Sequence, residues 1–416
     1  MKDVGSVIVI GGGVVGASCA HYLQQRGAHV TIVEKKTFGA ACSHGNCGFV
    51  CPSHVLPLAE PGAIRSTMKA MLSPKSPFSI KPRLDVKLWM WLLNFARHCN
   101  EHDMLAGGHA LQALLMSSMD EYERLVRESV VNCEWQKKGL LYVYKEQQRL
   151  DAYESTNQLL SETFHEPAIK YTGKQLEEHY PSLKPGQAGA WFYEHDAHLR
   201  PDKLMESWKA KLLNSGAIIK EDCEVQQIIQ TDGQAVSLQT NQGELTADRF
   251  VVATGALTPF LEKFLGCKIP IQPGKGYSLT MPRPKVCPTV PMIFPERRVA
   301  VTPMESGYRL GSIMEFAGYD ESIKPERLKL LREGADAFLK DPYCEPVEEE
   351  WFGWRPMTYD SLPIIDRSPS LQNVWIAAGH NMIGLSMSTG TGKLIAEMMS
   401  GDKPHIDPTP FRVTRF

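Results

Sequence analysis

A short β-branched run, Ser6–Ile10, leads directly into Gly11-Gly-Gly13-Val-Val15-Gly16, and this junction restricts the fold more than anything else in the 416 residues. The run has the character of a strand buried on both faces of a parallel sheet, and the glycines fit G-x-G-x-x-G. A helical pattern then passes through Val15, Cys19, Tyr22 and Leu23 to a stop at Gly27. His29–Val33 reads as a second strand, with Glu34 at its end. In such a unit Gly11 permits the tight turn, Gly13 lets the backbone approach a pyrophosphate, and Gly16 lets helix and strand pack closely. The helix N-terminus offers unpaired N–H groups and the positive end of its dipole to phosphates. Glu34, eighteen residues beyond Gly16, can accept both ribose hydroxyls of an adenosine. Strand, glycines, helix, strand and acid in this order predict a dinucleotide site.

Val4–Gln25 contains no Asp, Glu, Lys or Arg, as a signal peptide or membrane anchor would. Gly11, Gly12, Gly13 and Gly16 make a poor apolar core for either, and Cys19 lacks the Leu of a lipoprotein signal at the third position before it. A cytoplasmic, non-spanning protein is expected. At 43% hydrophobic and 22% charged residues the chain can bury a large core. Its 45 basic and 47 acidic residues leave a formal charge of −2, which argues against a nucleic-acid binder. Cys42, Cys47 and Cys51 lie near His44 and His54, but no C-x-x-C spacing occurs. The expectation is reduced thiols and no metal.

Beyond Glu34 comes Phe38-Gly-Ala-Ala-Cys-Ser43-His-Gly-Asn46-Cys-Gly48-Phe-Val. With its Ser and, three residues on, Asn-Cys-Gly, this stretch resembles the D-amino-acid oxidase and dehydrogenase superfamily of FAD enzymes, although Cys47 replaces the usual Ala. Three further blocks extend the resemblance in the same order. They are the segment around Val225; Val251-Val-Ala-Thr254-Gly255-Ala; and a C-terminal set comprising Gly353-Trp-Arg355-Pro356, Ala378-Gly379-His380-Asn-Met-Ile-Gly384 and Thr389-Gly390-Thr-Gly392. The resemblance implies FAD rather than a nicotinamide, held without a covalent link. A flavin-linking His would fall on Gly45, with His44 one residue early, and 351–392 contains no Cys. It further implies cofactor contacts at Gly11, Gly13, Val15, Gly16, Glu34, Lys35, Ser43, Asn46, Gly48, Val225 (through its main chain, to adenine), Thr254, Gly255, Gly353, Gly379, His380, Gly384 and Gly390. The helix opened by Thr389–Gly392 is expected to aim its dipole at the reduced flavin.

The implied fold class is α/β: a discontinuous Rossmann-type FAD-binding domain with an inserted α+β substrate domain. The first takes 1–80, 186–265 and 345–416; the second takes 81–185 and 266–344. Ala217–Ile229 reads as a strand pair. Leu111–Glu128, Leu150–Phe164 and Lys324–Leu339 read as helices. Tyr277–Met281, Val299–Pro303 and Tyr308–Ile313 read as strands, with a hairpin turn at Ser306-Gly307. The prolines at 74, 77 and 82 mark a crossover. Asp85–His98, dense in apolar residues, is either a buried helix of the substrate domain or an interfacial patch with Lys75, Lys81, Arg83 and Lys87 beside it.

The chemistry implied is oxidative deamination. A hydride passes from the α-carbon of a D-amino acid to flavin N5, the imino acid hydrolyses to a 2-oxo acid, and the electrons go to an acceptor other than oxygen. Bacterial D-amino-acid dehydrogenases, which the region around 85–98 most resembles, pass electrons to a membrane quinone. Arg355 matches a carboxylate-binding Arg of related glycine oxidases, and a planar guanidinium fixes both distance and angle. Tyr277 is either a second donor to that carboxylate or a core tyrosine. Lys275 either approaches the flavin or sits solvated in a turn. His380 is expected at the cofactor edge. Met382 stands where the glycine oxidases carry a second Arg, which weakens that assignment. The alternatives are a D-proline or hydroxy-D-proline dehydrogenase and a glycine- or sarcosine-type oxidase. A tRNA-modifying oxidoreductase and a non-catalytic FAD scaffold are disfavoured by the charge balance and by Arg355.

Overall fold

The structure, a computed structural model, describes residues 4–64, 78–81 and 84–416. Pro74, Pro77, Pro82, Lys75 and Arg83 lie outside them.

Ser6–Ile10 and His29–Val33 pair in parallel, and the helix Val14–Gln24 connects them. They are central in a six-stranded sheet ordered Ile364–Arg367, Val374–Ala378, Arg249–Val252, Ser6–Ile10, His29–Val33, Ile218–Lys220. Its edge strand Ile364–Arg367 runs antiparallel to its neighbour. Alternate residues divide between two cores, as strand geometry requires. Val7, Val9, Val30, Ile32 and Val251 meet the helices Val14–Gln24, Glu101–Arg127 and Gly384–Ser400. Ile8, Ile10, Val33, Phe250 and Val252 meet a three-stranded antiparallel sheet of Val225–Thr231, Gln234–Thr240 and Gly243–Thr246. The stretch Ala217–Ile229 therefore is not one strand pair: Ile218–Lys220 extends the parallel sheet, and Val225 opens the small one.

A second sheet, nine-stranded among the described residues, is ordered Glu349–Thr358, Ile271–Met281, Gly307–Phe316, Val299–Met304, Met292–Phe294, Leu140–Tyr144, Gly189–Tyr193, Ile169–Thr172, with Phe78–Ile80 also pairing Gly307–Phe316. Val299–Met304 and Gly307–Phe316 form the expected hairpin. The sheets do not divide where the motif blocks suggested. Glu349–Thr358 carries a block assigned to the FAD-binding part, yet it is the edge strand of this second sheet. Glu101–Arg127, assigned to the substrate part, packs instead on the first.

That helix is tied to its neighbours by Glu121, which accepts from Tyr22 Oη (2.7 Å), Lys393 Nζ (2.8 Å) and Arg124 Nη2 (2.7 Å). Burial alone would raise this carboxyl, but the hydrogen bonds from Lys393, Tyr22 and Arg124 override it and hold the group at about 2. A depressed carboxyl contributes stability that is present above its unfolded value, here near 4.5, and is lost as pH falls toward about 2. The difference is worth about 3 kcal/mol. Thermal unfolding measured between pH 5 and 3 is expected to show a smaller acid-side loss in Glu121→Gln than in the wild type.

The helix Val86–His98 begins at Asp85, whose side chain accepts from Leu88 N–H. It is buried on one side only. Leu88 and Trp91 pack with Phe316 and Met357, and Trp91 Nε1 donates to Pro270 O and Met357 O. Val86, Trp89, Met90 and Leu93, at i, i+3, i+4 and i+7, are exposed on the other side.

Candidate cofactor and substrate site

Gly11, Gly13 and Gly16 turn out to do different things. Gly11 has φ +108°, a conformation that disfavours side chains, and a Cβ there would overlap Ala253 O. A Cβ on Gly16 would overlap Gly11 O. Both glycines are demanded by packing between Ser6–Ile10, Arg249–Val252 and the helix. Gly13, at the helix N-cap, has φ −77°, open to any residue, and its Cβ would meet only Ser43 Oγ at 3.3 Å. It is the one place in the turn where the backbone is left bare without an internal reason. Val15, in the first turn, is partly exposed.

Glu34 reaches back over the turn, accepting from Gly12 N–H (2.7 Å) and Lys36 N–H (3.0 Å). Lys35 pairs with Glu224 at 2.8 Å, which brings the end of the second strand beside Val225. Thr254 and Gly255 follow Arg249–Val252 at the same end of the sheet, and Thr254 Oγ1 meets Thr258 Oγ1 at 3.0 Å. A glycine cradle, a helix N-terminus with no acid in its first turn, and an acid at the end of the second strand suit the adenosine and pyrophosphate of FAD.

The loop 42–48 runs from this turn to the second sheet. Ser43 Oγ accepts from Val14 N–H at 2.9 Å, at the helix N-terminus. Asn46 shapes the loop from within: its amide donates to Cys42 O and Ser43 O, and its oxygen accepts from Gly48 N–H. Gly48, φ +73°, allows close approach to the backbone of Leu199. Burial pushes the thiols of Cys42 and Cys47 up, and the guanidinium of Arg355 pulls against it. All ten cysteines are free.

Arg355 stands on the edge strand opposite Gly274. Its guanidinium lies across Gly276, where a Cβ would overlap it. Nη1 donates to Ile313 O (2.5 Å) and Nη2 to Ser312 O (3.3 Å). Those carbonyls belong to a bulge where the register with Ile271–Met281 shifts. Ser312 and Ile313 have φ +128° and +60°, which for a β-branched residue costs about 1–2 kcal/mol. Among the described residues Arg355 has no carboxylate partner, and burial lowers its pKa. A half-buried cation held by carbonyls rather than by an acid suits an incoming anion.

Tyr277 does not share that site. Gly274, Gly276 and Ser278 face the side of the loop 42–48 together with Arg355, Gly353 and Trp351; Tyr277 and its partner Phe352 face the other way, into the second sheet's own core. Tyr277 Oη donates to Glu315 at 2.8 Å, so of its two readings the core tyrosine is the one observed. Lys275 lies on that face too. It is buried rather than solvated, and it donates to Ser322 O above the Phe352 ring.

At the C-terminal block, Gly379 has φ +74° and a Cβ on Gly384 would meet His380 Cβ at 3.2 Å. His380 is buried, which lowers it to about 3, and Nε2 meets Thr391 Oγ1 at 3.0 Å, so the ring is neutral. The final helix starts at Gly384, not at Thr389. Gly390, a turn and a half along, is small because Leu114 O would lie 3.0 Å from its Cβ. Gly392 likewise presses on Ser18.

Sequence reasoning missed Gly276, the 312–313 bulge and Arg309. The one legible signal was a lone charge inside the apolar run Tyr308–Ile313. Arg309 is 1% exposed and donates to Thr280 Oγ1, His44 O and Asn46 O. His44 pairs with Glu349 at 2.7 Å, and this hydrogen bond raises its pKa.

A family model described as FAD dependent oxidoreductase matches residues 6–398. The D-amino acid dehydrogenase of Chromohalobacter salexigens is 29% identical over 99% of each chain, and that of Vibrio cholerae is 31% identical over 96% of each. Among solved structures, glycine oxidase from Geobacillus kaustophilus superposes with a TM-score of 0.77 at 21% identity, covering 99% of this chain and 98% of that one. L-Proline dehydrogenase from P. horikoshii gives 0.74 at 20% identity over 100% and 98%. At these identities the structural likeness is one of fold.

Proposed function

The chain belongs to the FAD-dependent oxidoreductase (DAO) family, and from that premise we propose that it dehydrogenates D-amino acids, with non-covalent FAD and an electron acceptor other than oxygen. Bound FAD supplies the two-electron chemistry that no side chain has. The chain's own part is to hold the substrate. The observation that carries this reading is Arg355, a half-buried guanidinium with no acidic partner among the described residues, fixed over Gly276 by the carbonyls of Ser312 and Ile313. It receives the substrate carboxylate and so orients the α-carbon, and such orientation is a large share of the catalysis available. The D configuration is supported by the relatives matched nearly end to end, which are D-amino acid dehydrogenases.

Anaerobic bleaching of the visible flavin band with matched D- and L-amino acids, D-proline and hydroxy-D-proline, followed by air, tests the proposal. Bleaching by D-substrates with slow recovery in air is expected. The cyclic substrates alone would make it an imino-acid dehydrogenase. Rapid recovery with peroxide would move it to the oxidases, and no bleaching would remove the substrate assignment.

For the acceptor, a quinone reached by peripheral contact with the cytoplasmic face of a membrane fits the exposed row Val86, Trp89, Met90 and Leu93. Val86–His98 carries Lys87 and Arg97 and no acid, which suits an anionic lipid surface. No helix among the described residues is long and apolar enough to cross a membrane. Co-sedimentation with vesicles containing anionic lipid is expected to fall at least ten-fold in Met90→Glu/Leu93→Glu, since each apolar side chain withdrawn from the interface is worth roughly 1.5–3 kcal/mol. Equal binding of the two proteins would remove this face from the contact.

A further inference from the structure

We propose that three side chains of the second sheet, Ser278, Thr302 and Arg309, form a clasp that presets the loop 42–48 for FAD, with Arg309 as its principal positioning residue. Four consecutive carbonyls of this loop are taken up by that sheet. His44 O and Asn46 O accept from Arg309 Nη1 (3.1 and 2.8 Å), Gly45 O from Ser278 Oγ (2.7 Å) and Cys47 O from Thr302 Oγ1 (2.6 Å). All three side chains are buried. A peptide whose carbonyl points one way presents its N–H the other way, and successive N–H groups turned to one side make a concave donor surface for electron-rich atoms. The amides of Gly45, Asn46 and Cys47 have no protein acceptor among the described residues. Ser43, one residue before the first of these carbonyls, accepts from Val14 N–H at the glycine turn.

Arg309 is suited to this by shape as well as charge. Its Nε is bound to Thr280 Oγ1 at 2.9 Å, and Nη2 lies 3.6 Å from Asp202 and 4.0 Å from Glu349. The guanidinium plane is thus fixed on two edges while Nη1 spans two carbonyls. A lysine has a point charge on a flexible stem and cannot reproduce that plane. The clasp also accounts for the buried charge at Arg309: it joins the sheet that carries Arg355 to the loop 42–48.

The test is FAD retention by Arg309→Gln and Arg309→Lys, read as flavin released when the holoenzyme is diluted and as the gap in melting temperature between holo and apo forms. A residue that merely stabilises the fold lowers both melting temperatures together and leaves the gap unchanged. The expected result is a dissociation constant for FAD at least ten-fold higher and a narrower gap in both variants. The expected order is that lysine does not rescue. Wild-type retention with an unchanged gap in either variant overturns the proposal. If both variants fail to fold, Ser278→Ala/Thr302→Val decides, because it leaves the Arg309 ion pairs intact. It is expected to release FAD faster than wild type, and equal retention overturns the clasp. None of these readouts depends on the substrate assignment.

Discussion

Replacing Gly13 with valine is expected to leave a folded protein that has lost its flavin. At φ −77° the backbone accepts a β-branched residue, and the nearest atom to a new Cβ is the Ser43 hydroxyl at 3.3 Å, which can shift. What the isopropyl group blocks is the approach of a pyrophosphate to the helix N-terminus. Charge-assisted hydrogen bonds are worth roughly 1.5–3 kcal/mol each, so losing two of them costs roughly 3–6 kcal/mol, or 10²- to 10⁴-fold in affinity. Reconstitution of the variant with FAD, followed by its visible spectrum, measures this. A yellow, fully loaded variant would take Gly13 out of the cofactor site. Gly11→Val and Gly16→Val are expected instead to fail in folding, since both positions press on backbone carbonyls.

Arg355→Lys is expected to weaken carboxylate substrates by about 10- to 100-fold, as the loss of roughly 1.5–3 kcal/mol of charge-assisted hydrogen bonding implies. The ammonium cannot bond the carbonyls of Ser312 and Ile313 and still offer two parallel N–H groups to a carboxylate. Anaerobic titration of flavin bleaching gives the substrate affinity directly. Gly276→Ala should act in the same direction without touching the charge, because the new methyl group displaces the guanidinium. Unchanged affinity in Arg355→Lys would remove it from the substrate site and leave the FAD assignment standing.

The contrast between Arg355 and Tyr277 explains what was legible. A strand over Tyr277–Met281 is visible in the chain, and its extension back to Ile271 in the structure puts Gly276 and Tyr277 on opposite faces. Which of those faces looks toward the cofactor depends on the partner strand and on the layer above, and neither is a local property. The bulge at Ser312 and Ile313 is likewise invisible before the strands are in register, because it exists only as a mismatch between two of them.

By itself the sequence determined the parts whose chemistry is local. The strand, glycine turn, helix and acid of residues 6–34 form from neighbours in the chain, and they came out with their expected bounds to within a few residues. The ordered motif blocks marked the family in the same way. Only the tertiary structure decided which backbone carbonyls Gly11 and Gly16 press on, that Arg355 has no acidic partner among the described residues, and that Arg309 binds two carbonyls of the loop 42–48. Those outcomes rest on contacts between residues far apart in the chain, where the energy of a side chain depends on which distant carbonyl or carboxylate the fold brings to it.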